Sequence, residues 1–328
     1  MDGRNVFVTG GAGYVGAVLV PELLSIGCHV TVYDLMIYGE DVLSKHPNLR
    51  VVKGDLRDEE LLGNVLPGHD SVIHLACISN DPSFELNPYL GRSINLDAFR
   101  PLVINSRNHG IERFIYASSS SVYGVKEETD VHEGMSLEPL TDYSRHKAEC
   151  EKILLEYEST DFTTVIIRPA TVCGYSPRQR LDVVVNILTN LAFHNRRITV
   201  FGGAQLRPNI HITDMINCYT AILFADSQKV AGNIYNVGYE NQSVQQIAET
   251  VKSIIGDDVE LINTPTDDNR SYHISSEKIK TDLGFEARCD IKDAVAELRE
   301  AFQMGKLPDS LTDEKYYNIK RMQALRLT

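Results

Sequence analysis

Basic side chains, cysteines and long apolar runs are all scarce in this sequence of 328 residues. Lys and Arg number 32 against 45 Asp and Glu, which gives a formal net charge of −13. A chain this acidic is poorly suited to binding bulk nucleic acid or an anionic membrane, because these carry the same sign of charge. We therefore expect neither as a partner, and a phosphorylated ligand only where a few basic side chains and backbone amides converge.

The six cysteines are widely scattered and form neither a C-x-x-C pair nor a Cys/His spacing typical of zinc. This pattern predicts reduced thiols, no metal site and a cytoplasmic protein. No stretch approaches about 18 apolar residues, the length that spans a membrane. The N-terminus lacks a basic segment followed by an uninterrupted apolar one, so we expect no signal peptide.

Strand-like and helix-like segments alternate through the first half of the chain. Such alternation is typical of a doubly wound parallel sheet covered by helices on both faces. Strands are predicted at 5–9, 28–33, 49–53, 71–75, 113–117 and 163–168, and helices at 15–26, 59–66, 88–109 and from about 142. Beyond Gly174 the pattern becomes irregular. We predict an α/β fold with the parallel sheet in residues 1–174, a smaller C-terminal α/β substrate domain in residues 175–328, and crossovers between the two.

A glycine turn follows the first strand directly and opens the first helix. Gly10, Gly13 and Gly16 give G-x-x-G-x-x-G, which lets the backbone approach a pyrophosphate without a Cβ in the way. The N-terminus of the helix then offers free N–H groups to the phosphates. Two further residues of the turn are predicted to contact the cofactor: Tyr14 and Val15. The order of strand, turn and helix predicts a Rossmann domain that binds a dinucleotide.

Side chains at the ends of the next strands extend this predicted cofactor site. Asp34 ends the second strand, 18 residues after the last of the three glycines. A carboxylate there accepts hydrogen bonds from both ribose hydroxyls and repels a 2′-phosphate, which favours NAD and opposes an NADP-linked enzyme. Asp55 and Leu56 follow the third strand, and Leu75 and Ala76 follow the fourth. We predict contacts from Asp55 to the adenine amino group, and close approach of the cofactor at Ala76.

Hydroxyl and phenol side chains follow the fifth strand. Four consecutive serines stand at 118–121, and about twenty residues later comes YSRHK, with Tyr143 and Lys147 on the same face of a helix. The ammonium is expected to lower the phenol pKa of Tyr143 from about 10 towards neutrality, as is a positive nicotinamide ring. The tyrosinate can then take a proton from a sugar hydroxyl while hydride leaves for the nicotinamide. A strand-end serine would orient the same oxygen.

A second Tyr-x-x-x-Lys occurs in the tail, at Tyr316 and Lys320. No strand-end serines precede this copy, and no phosphate turn is linked to it. We therefore interpret it as one face of a helix packed on the protein surface within the polar tail, residues 311–328.

These motifs together resemble the extended short-chain dehydrogenase/reductase superfamily and, within it, the NAD-dependent sugar-nucleotide epimerase/dehydratase family. The segments that carry the resemblance are TGGAGYVG, VYD, GDLRD, HLAC, SSSSVYG and YSRHK. The resemblance implies NAD in the first domain, a nucleotide sugar in the second, and a homodimer through the helix at 88–109 and the helix that carries Tyr143. It also implies Tyr143 as the base, Lys147 as its partner and ribose ligand, and Ser119 as the catalytic hydroxyl. Loss of Lys147 should then damage cofactor binding and rate together.

The two residues after that hydroxyl distinguish reactions within the family. The 4,6-dehydratases resemble Thr-Asp-Glu there, because eliminating water needs an acid and a base, whereas this chain has Ser120 and Ser121. Dehydration is therefore disfavoured, which leaves 4-epimerisation, a net 4-dehydrogenase or a 4-keto reductase. The string SSSSVYG most resembles UDP-glucose 4-epimerases and favours the first. A non-catalytic NAD-sensing protein needs none of Ser119, Tyr143 and Lys147, so their presence opposes that alternative.

The resemblance also implies residues that face the nucleotide sugar. Thr171 stands where the family usually has Asn, and Ser79 where family 4-epimerases often have Lys, which suggests a less common sugar. Arg207, in RPNIHITD, resembles the family's diphosphate-binding arginine, and Arg270 is a second candidate, because a guanidinium fork suits a diphosphate. Asn95 is predicted to reach the active site from the helix at 88–109. The predicted substrate-binding set is completed by Ser119, Ser120 and Tyr143.

Overall fold

A computed structural model describes residues 3–79, 81–128, 130–266, 271 and 273–327. Its strands are β1 (Asn5–Thr9), β2 (His29–Asp34), β3 (Leu49–Lys53), β4 (Ser71–His74), β5 (Arg113–Ala117), β6 (Thr163–Pro169), β7 (Thr171–Cys173), β8 (Arg197–Phe201), β9 (Leu206–His211), β10 (Asn233–Val237), β11 (Glu240–Ser243) and β12 (Glu260–Thr264). Its α-helices are α1 (Gly16–Ser25), α2 (Glu59–Val65), α3 (Asp81–Leu86), α4 (Pro88–Arg92), α5 (Phe99–Asn108), α6 (Asp142–Leu155), α7 (Val184–Asn195), α8 (Ile212–Phe224), α9 (Ser227–Val230), α10 (Val244–Ile255), α11 (Glu277–Leu283), α12 (Ile291–Gln303) and α13 (Asn318–Leu325). A π-helical turn lies at Ser93–Asp97, and 3₁₀ turns lie at Ser120–Tyr123 and Glu314–Tyr316.

The main sheet of the described chain is parallel, in the order β10-β6-β5-β4-β1-β2-β3. Successive side chains of β1 point to opposite faces. Val6 and Val8 pack in one core with α1 and α8, whereas Phe7 packs in the other with α2, α5 and α6. Both faces are thus covered by helices, which confirms the predicted α/β Rossmann fold. The strand order reverses between β1 and β4, where such sheets bind ligands at their carboxyl ends.

The main sheet also takes in chain from beyond residue 174. β10 pairs in parallel with β6, from Asn233 opposite Val165 to Val237 opposite Pro169. α8 belongs to the same half of the sequence and packs in the core of α1. These are crossovers of the kind expected from the sequence. The division into domains at residues 174 and 175 stays a prediction.

A smaller layer contains most of the remaining C-terminal half. α7, α10 and α12 share a core with the parallel pair β8 and β12. α10 begins at a capping box in which Ser243 and Gln246 satisfy each other's backbone N–H groups. Its buried residues Ile247, Ala248 and Val251 recur at helical spacing and face this core. A three-stranded sheet is formed by β7, β9 and β11, and β7 follows directly after β6 in the chain.

The helix predicted over residues 88–109 is interrupted in the structure. α4 begins at Pro88, with the side chain of Asn87 as its N-cap, and the π-helical turn separates α4 from α5. Asn95 lies in that turn and is buried. Its amide accepts the N–H of Ile78 at 2.8 Å and donates to the carbonyl of Ile78 at 2.9 Å. Hydrophobic periodicity alone does not reveal such a turn, because a π-helical turn inserts one extra residue into the helix and has no distinctive amino-acid composition.

The tail differs from the surface helix face predicted for it. Tyr316 is 4% exposed and packs against Leu298 and Phe302 of α12. Tyr316 and Lys320 lie in different elements, the 3₁₀ turn and α13. The apolar face of α12 therefore holds the tail in place, a contact that a short polar sequence does not reveal.

All six cysteines are free thiols. Within the described ranges, no helix has both the length and the apolar character that crossing a membrane requires. The same part of the chain contains no group of three or more His, Cys, Asp and Glu side chains placed to hold a metal ion.

Candidate active site

A cavity opens at the carboxyl ends of β1, β2, β4 and β5, where the strand order reverses. The residues predicted for the cofactor that line it are Gly10, Gly13, Tyr14, Val15, Gly16, Asp34, Leu56, Leu75, Ala76 and Tyr143. The residues predicted for the substrate that line it are Ser79, Ser119, Ser120, Tyr143 and Thr171. The tertiary structure thus places segments that are as far apart in the sequence as residues 10 and 171 around one cavity.

The glycine turn has no room for side chains. Gly10 has a φ of +72°, and a Cβ there would lie 2.6 Å from the backbone nitrogen of Ala76. A Cβ at Gly16 would lie 2.5 Å from the Cα of Gly11. At Gly13, an added Cβ would lie 3.1 Å from the carbonyl oxygen of Gly10, which is closer than ordinary van der Waals contact. Together with the first turn of α1, this cradle fits the pyrophosphate of NAD.

Gly10→Ala is expected to lower the free energy of unfolding by about 1–3 kcal/mol and to weaken NAD binding at least about 10-fold. Both effects follow from the positive φ and from the collision of the Cβ with Ala76. Gly63→Ala is the matched control, because that glycine lies inside α2 with no neighbour within 4 Å of an added Cβ. Alanine there should raise stability by about 0.5–1 kcal/mol. Thermal unfolding and calorimetric NAD titration measure both variants, and parental NAD affinity in Gly10→Ala would contradict this role.

Asp34 is fixed beside the glycine turn. Its carboxylate accepts the N–H of Ala12 at 3.0 Å and of Met36 at 2.8 Å. Burial raises the pKa of Asp34, while these two N–H groups and the charge of Arg178 act in the opposite direction. The carboxylate and the turn would therefore hold the adenosine ribose and the pyrophosphate of NAD side by side.

Tyr143 lies in the first turn of α6, which begins at a capping box formed by Thr141 and Ser144. Lys147 follows one turn later and is 4% exposed. Its Nζ donates to the carbonyl oxygen of Ala117 at 2.6 Å and lies 5.8 Å from the centre of the Tyr143 ring. The end of β5 thus fixes the ammonium behind the phenol, and Lys147 itself does not line the cavity.

Ser119 completes this group from the other side. It lies directly beyond β5 and accepts the N–H of Ser121 at 3.2 Å as the N-cap of the 3₁₀ turn. Its Oγ is 2.9 Å from the Oγ of Ser121. Ser119 and Tyr143 line the same cavity. A hydroxyl and a phenol backed by an ammonium form an arrangement suited to proton transfer to and from an alcohol.

A buried ion pair supports this arrangement from behind. Glu151, one turn beyond Lys147 on α6, binds Arg168 of β6, with Nη2 to Oε2 at 2.6 Å and Nε to Oε1 at 3.0 Å. Ser118 donates to the same carboxylate at 2.5 Å, and Tyr123 accepts from Nη1 of Arg168 at 2.7 Å. The pair therefore ties α6 to the serine segment. No motif in the sequence indicates this pair.

Two predicted residues use their polar groups elsewhere. Asp55 accepts from the guanidinium of Arg57, with Nη2 to Oδ2 at 2.7 Å, and does not line the cavity. Although partial burial raises the pKa of Asp55, the hydrogen bonds from Arg57 outweigh it and lower that pKa. Asn95 is engaged by the backbone of Ile78, next to Ser79, and also lies off the cavity wall. Contacts of Asp55 and Asn95 with ligands stay predictions.

Among the described residues, the arginines of the cavity wall are two that the sequence did not predict. Arg207 lies on β9, donates to the carbonyl oxygen of Leu206 at 2.9 Å and does not line the cavity. Arg270 lies outside the described residues. The wall instead contains Arg178 and Arg180, from the loop after β7. The only signal for them was the Pro- and Arg-rich composition of that loop, which does not separate a ligand-binding arginine from an ordinary one.

His74 gives the protein a pH-dependent stability. It is fully buried at the end of β4, with Nδ1 2.7 Å from the Oγ1 of Thr9. Burial, and to a lesser extent the charge of Lys147, lower the pKa of His74 to about 3. Unfolded histidine titrates near pH 6.5, so below that pH protons bind the unfolded chain preferentially.

We therefore expect His74 to remove about 2 kcal/mol of stability between pH 7 and pH 5. Urea unfolding of His74→Gln at both pH values should show a correspondingly smaller decrease than the parent. His29→Gln, which changes an exposed histidine at the start of β2, should keep the parental decrease. Equal decreases in the parent and in His74→Gln would show that His74 does not carry this effect.

Comparison with known proteins places the chain in a family. The profile of the NAD dependent epimerase/dehydratase family matches residues 6–238. The chain belongs to this family, as the motifs predicted. The predicted cofactor, NAD, is that of the family.

Individual relatives differ in the reaction their names give. The chain is 27% identical over 323 residues to a dTDP-glucose 4,6-dehydratase of Streptomyces niveus, covering 91% of this chain and 93% of that one. It is 32% identical over 268 residues to an uncharacterized UDP-glucose epimerase of Bacillus subtilis, covering 77% and 82%. An epimerase of Methanothermobacter thermautotrophicus shares the fold with a TM-score of 0.85 over 93% of both chains, at 23% identity. The family therefore defines an NAD-dependent sugar-nucleotide epimerase or dehydratase, and leaves the reaction open.

Proposed function

We propose that this protein is a sugar-nucleotide 4-epimerase that works through a transient 4-keto sugar. The proposal depends on Ser119 and Tyr143 in one cavity and on Lys147, whose Nζ lies 5.8 Å from the centre of the Tyr143 ring. Two of these three line the cavity that also contains the glycine turn and Asp34. The NAD-binding and proton-transferring parts of the site therefore open into one space.

Each side chain has a distinct part in the proposed reaction. The charge of Lys147 near the Tyr143 ring stabilises its phenolate. That phenolate takes the proton of the C4 hydroxyl and becomes a neutral phenol. The Ser119 hydroxyl donates a hydrogen bond to the same sugar oxygen and holds it in line with the phenol. NAD, when bound, supplies the hydride acceptor and donor. After the keto sugar has turned its other face, Tyr143 returns the proton and the C4 centre is inverted.

The absence of carboxylates beside Ser119 favours epimerisation over dehydration. Residues 120 and 121 are serines, and Ser120 is 2% exposed. A serine hydroxyl at neutral pH does not replace the carboxylic acid that eliminating water from the sugar requires. Among the described residues, the carboxylates of the cavity wall are Asp34 and Asp81. Asp34 is engaged by the glycine turn, and Asp81 accepts from the hydroxyl of Thr141 at 2.5 Å.

Product analysis distinguishes the candidate reactions. Purified protein is incubated with UDP-, GDP-, CDP- and dTDP-sugars, and products are examined by mass spectrometry and NMR. An unchanged mass with inverted C4 supports the epimerase. Loss of two mass units with NADH formation indicates a 4-dehydrogenase, and loss of water would refute the argument from Ser120 and Ser121. Absence of turnover with all four nucleotide classes would favour a non-catalytic NAD-binding protein.

A homodimer through α4, α5 and α6 belongs to the same proposal. α5 and α6 share one core beneath the main sheet, and α5 presents Ile104 to solvent at 37% exposure. Tyr89 of α4 is 88% exposed. Light scattering coupled to size-exclusion chromatography should give twice the mass of 36.7 kDa. A monomer at micromolar concentration would remove this part of the proposal.

A further inference from the structure

Three other arginines inside the described part of the fold have a carboxylate partner or several hydrogen-bond acceptors within the chain. Arg168 forms a two-point ion pair with Glu151. Arg180 pairs with Asp182 at 2.6 Å. Arg113, which is 2% exposed, donates to three backbone carbonyls and one hydroxyl. Arg168 and Arg180 are each balanced by a carboxylate, and Arg113 has four acceptors, although Nε of Arg113 and Nη2 of Arg180 have no partner among the described residues.

Arg178 differs from these three. It is 5% exposed and lines the cavity. Among the described residues its one hydrogen bond runs from Nη2 to the Oδ1 of Asn318 at 2.7 Å, and it joins no carboxylate in an ion pair. Its Nε is buried and has no partner in that part of the chain. The guanidinium carbon lies instead over Tyr38, 3.3 Å from the ring centre.

The C-terminal segment fixes this orientation. Asn318, the first residue of α13, is 3% exposed, and its Oδ1 accepts from Tyr38 at 2.9 Å as well as from Arg178. Its Nδ2 donates to the Oγ of Ser79 at 2.9 Å, and its N–H to Asp182 at 3.0 Å. One asparagine therefore joins three loops around the cavity. Such a network holds the guanidinium in place before a ligand arrives.

We propose that Arg178 binds a diphosphate in this cavity, and that Asn318 and Tyr38 are the residues that position it. The planar fork of a guanidinium matches two phosphate oxygens, and a ligand phosphate would supply the counter-charge that the chain does not. Either NAD or the nucleotide sugar carries a diphosphate, so the inference rests on the proposed ligands of the cavity but not on the C4 chemistry.

The surroundings of Arg178 point towards the cofactor. Burial lowers the pKa of Arg178, and the charge of Asp34 is among the influences that raise it. The guanidinium lies over the ring of Tyr38, four residues beyond Asp34, and Asp34 in turn accepts the N–H of Ala12 in the glycine turn.

Arg178→Met removes the charge and keeps a long side chain. The apoprotein should melt at the parental temperature or above it, because a buried charge without a counter-ion has been removed. NAD and ADP should bind about 10- to 100-fold more weakly by calorimetry, and adenosine with unchanged affinity, since only the diphosphate contact is lost. Arg197→Met changes an exposed arginine of β8 and should alter none of these values.

A second pair of variants tests the positioning role. Asn318→Ala should weaken NAD and ADP binding about 3- to 10-fold, because Arg178 stays present but is no longer held. Gln323→Ala, an exposed position later in α13, should leave both affinities unchanged. A merely structural role for Asn318 would lower the melting temperature without changing the ratio of ADP to adenosine affinity.

Titration of UDP into the NAD-loaded protein separates the two sources of diphosphate. Weaker NAD and ADP binding in Arg178→Met assigns the guanidinium to the cofactor, whereas weaker UDP binding with parental NAD affinity assigns it to the nucleotide sugar. Parental affinity in both titrations overturns the proposal, whatever the melting temperature. These experiments measure ligand binding and do not depend on which product the enzyme forms. A failure of the epimerase proposal would therefore be detected by product analysis and not by these titrations.

Discussion

Tyr143→Phe is expected to lower kcat by about 1,000-fold while NAD content and melting temperature stay close to the parental values. The substitution removes one oxygen, the atom that takes the C4 proton. Tyr143 is partly exposed in the cavity wall, so the loss of its hydroxyl leaves the packing of α6 intact. Turnover of the accepted nucleotide sugar, NAD release on denaturation and thermal unfolding measure the three quantities.

Two further variants complete this test. Tyr316→Phe changes the other Tyr-x-x-x-Lys, whose tyrosine packs against α12 away from the cavity, and should keep the parental kcat. Lys147→Ala should lower both kcat and NAD affinity, because its ammonium both supports the phenolate and is predicted to hold the cofactor ribose. If Tyr143→Phe turned over substrate at the parental rate, the assignment of the base would be wrong.

Glu151→Ala is expected to lower the free energy of unfolding by about 3–5 kcal/mol, because it leaves Arg168 charged and unpaired in the interior. Both side chains are almost fully buried, at 2% and 3% exposure. Burial acts against the charge of Arg168, but its hydrogen bonds to Glu151 raise the pKa above the ordinary value. Because the ordinary pKa of an arginine lies far above neutral pH, Arg168 stays protonated even when Glu151 is lost, and Ser118 loses its acceptor as well. Urea unfolding measures the change.

The double variant Glu151→Leu with Arg168→Met should be more stable than Glu151→Ala, because no isolated charge remains. The exposed pair of Arg197 and Glu260 provides the comparison, and Glu260→Ala should cost less than about 1 kcal/mol. A loss of under 1 kcal/mol in Glu151→Ala would show that the buried pair does not support the junction of α6 and the serine segment.

Much of the site follows from signals local to the chain. A glycine at residue 10 is required by a positive φ and a backbone contact within the turn, and Asp34 by the end of the next strand. Tyr143 and Lys147 share a helix face by spacing alone. The carboxyl ends of parallel strands meet at one edge of the sheet, so these signals together predict that the residues line one cavity.

Contacts between distant segments did not follow in this way. The buried amide of Asn95 contacts the backbone of Ile78 from a π-helical turn, and such a turn leaves no periodic trace in the sequence. Among the described residues, the arginines on the cavity wall are Arg178 and Arg180, which no sequence motif indicated, and diphosphate contacts of Arg207 stay a prediction. The composition of a Pro-rich loop around an arginine is the same whether or not the fold supplies a counter-ion, so composition does not identify an arginine that lacks one.

The sequence by itself therefore determined the class of fold, and it predicted the cofactor turn and the side chains proposed for catalysis, because each depends on residues within one or two adjacent elements. Tertiary structure alone decided which charges are compensated. Glu151 meets Arg168, and Asn318 meets Arg178, only after the chain has folded back across many residues. Whether a buried charge has a partner depends on distances of a few ångströms in space. The spacing of residues along the chain does not reveal these distances.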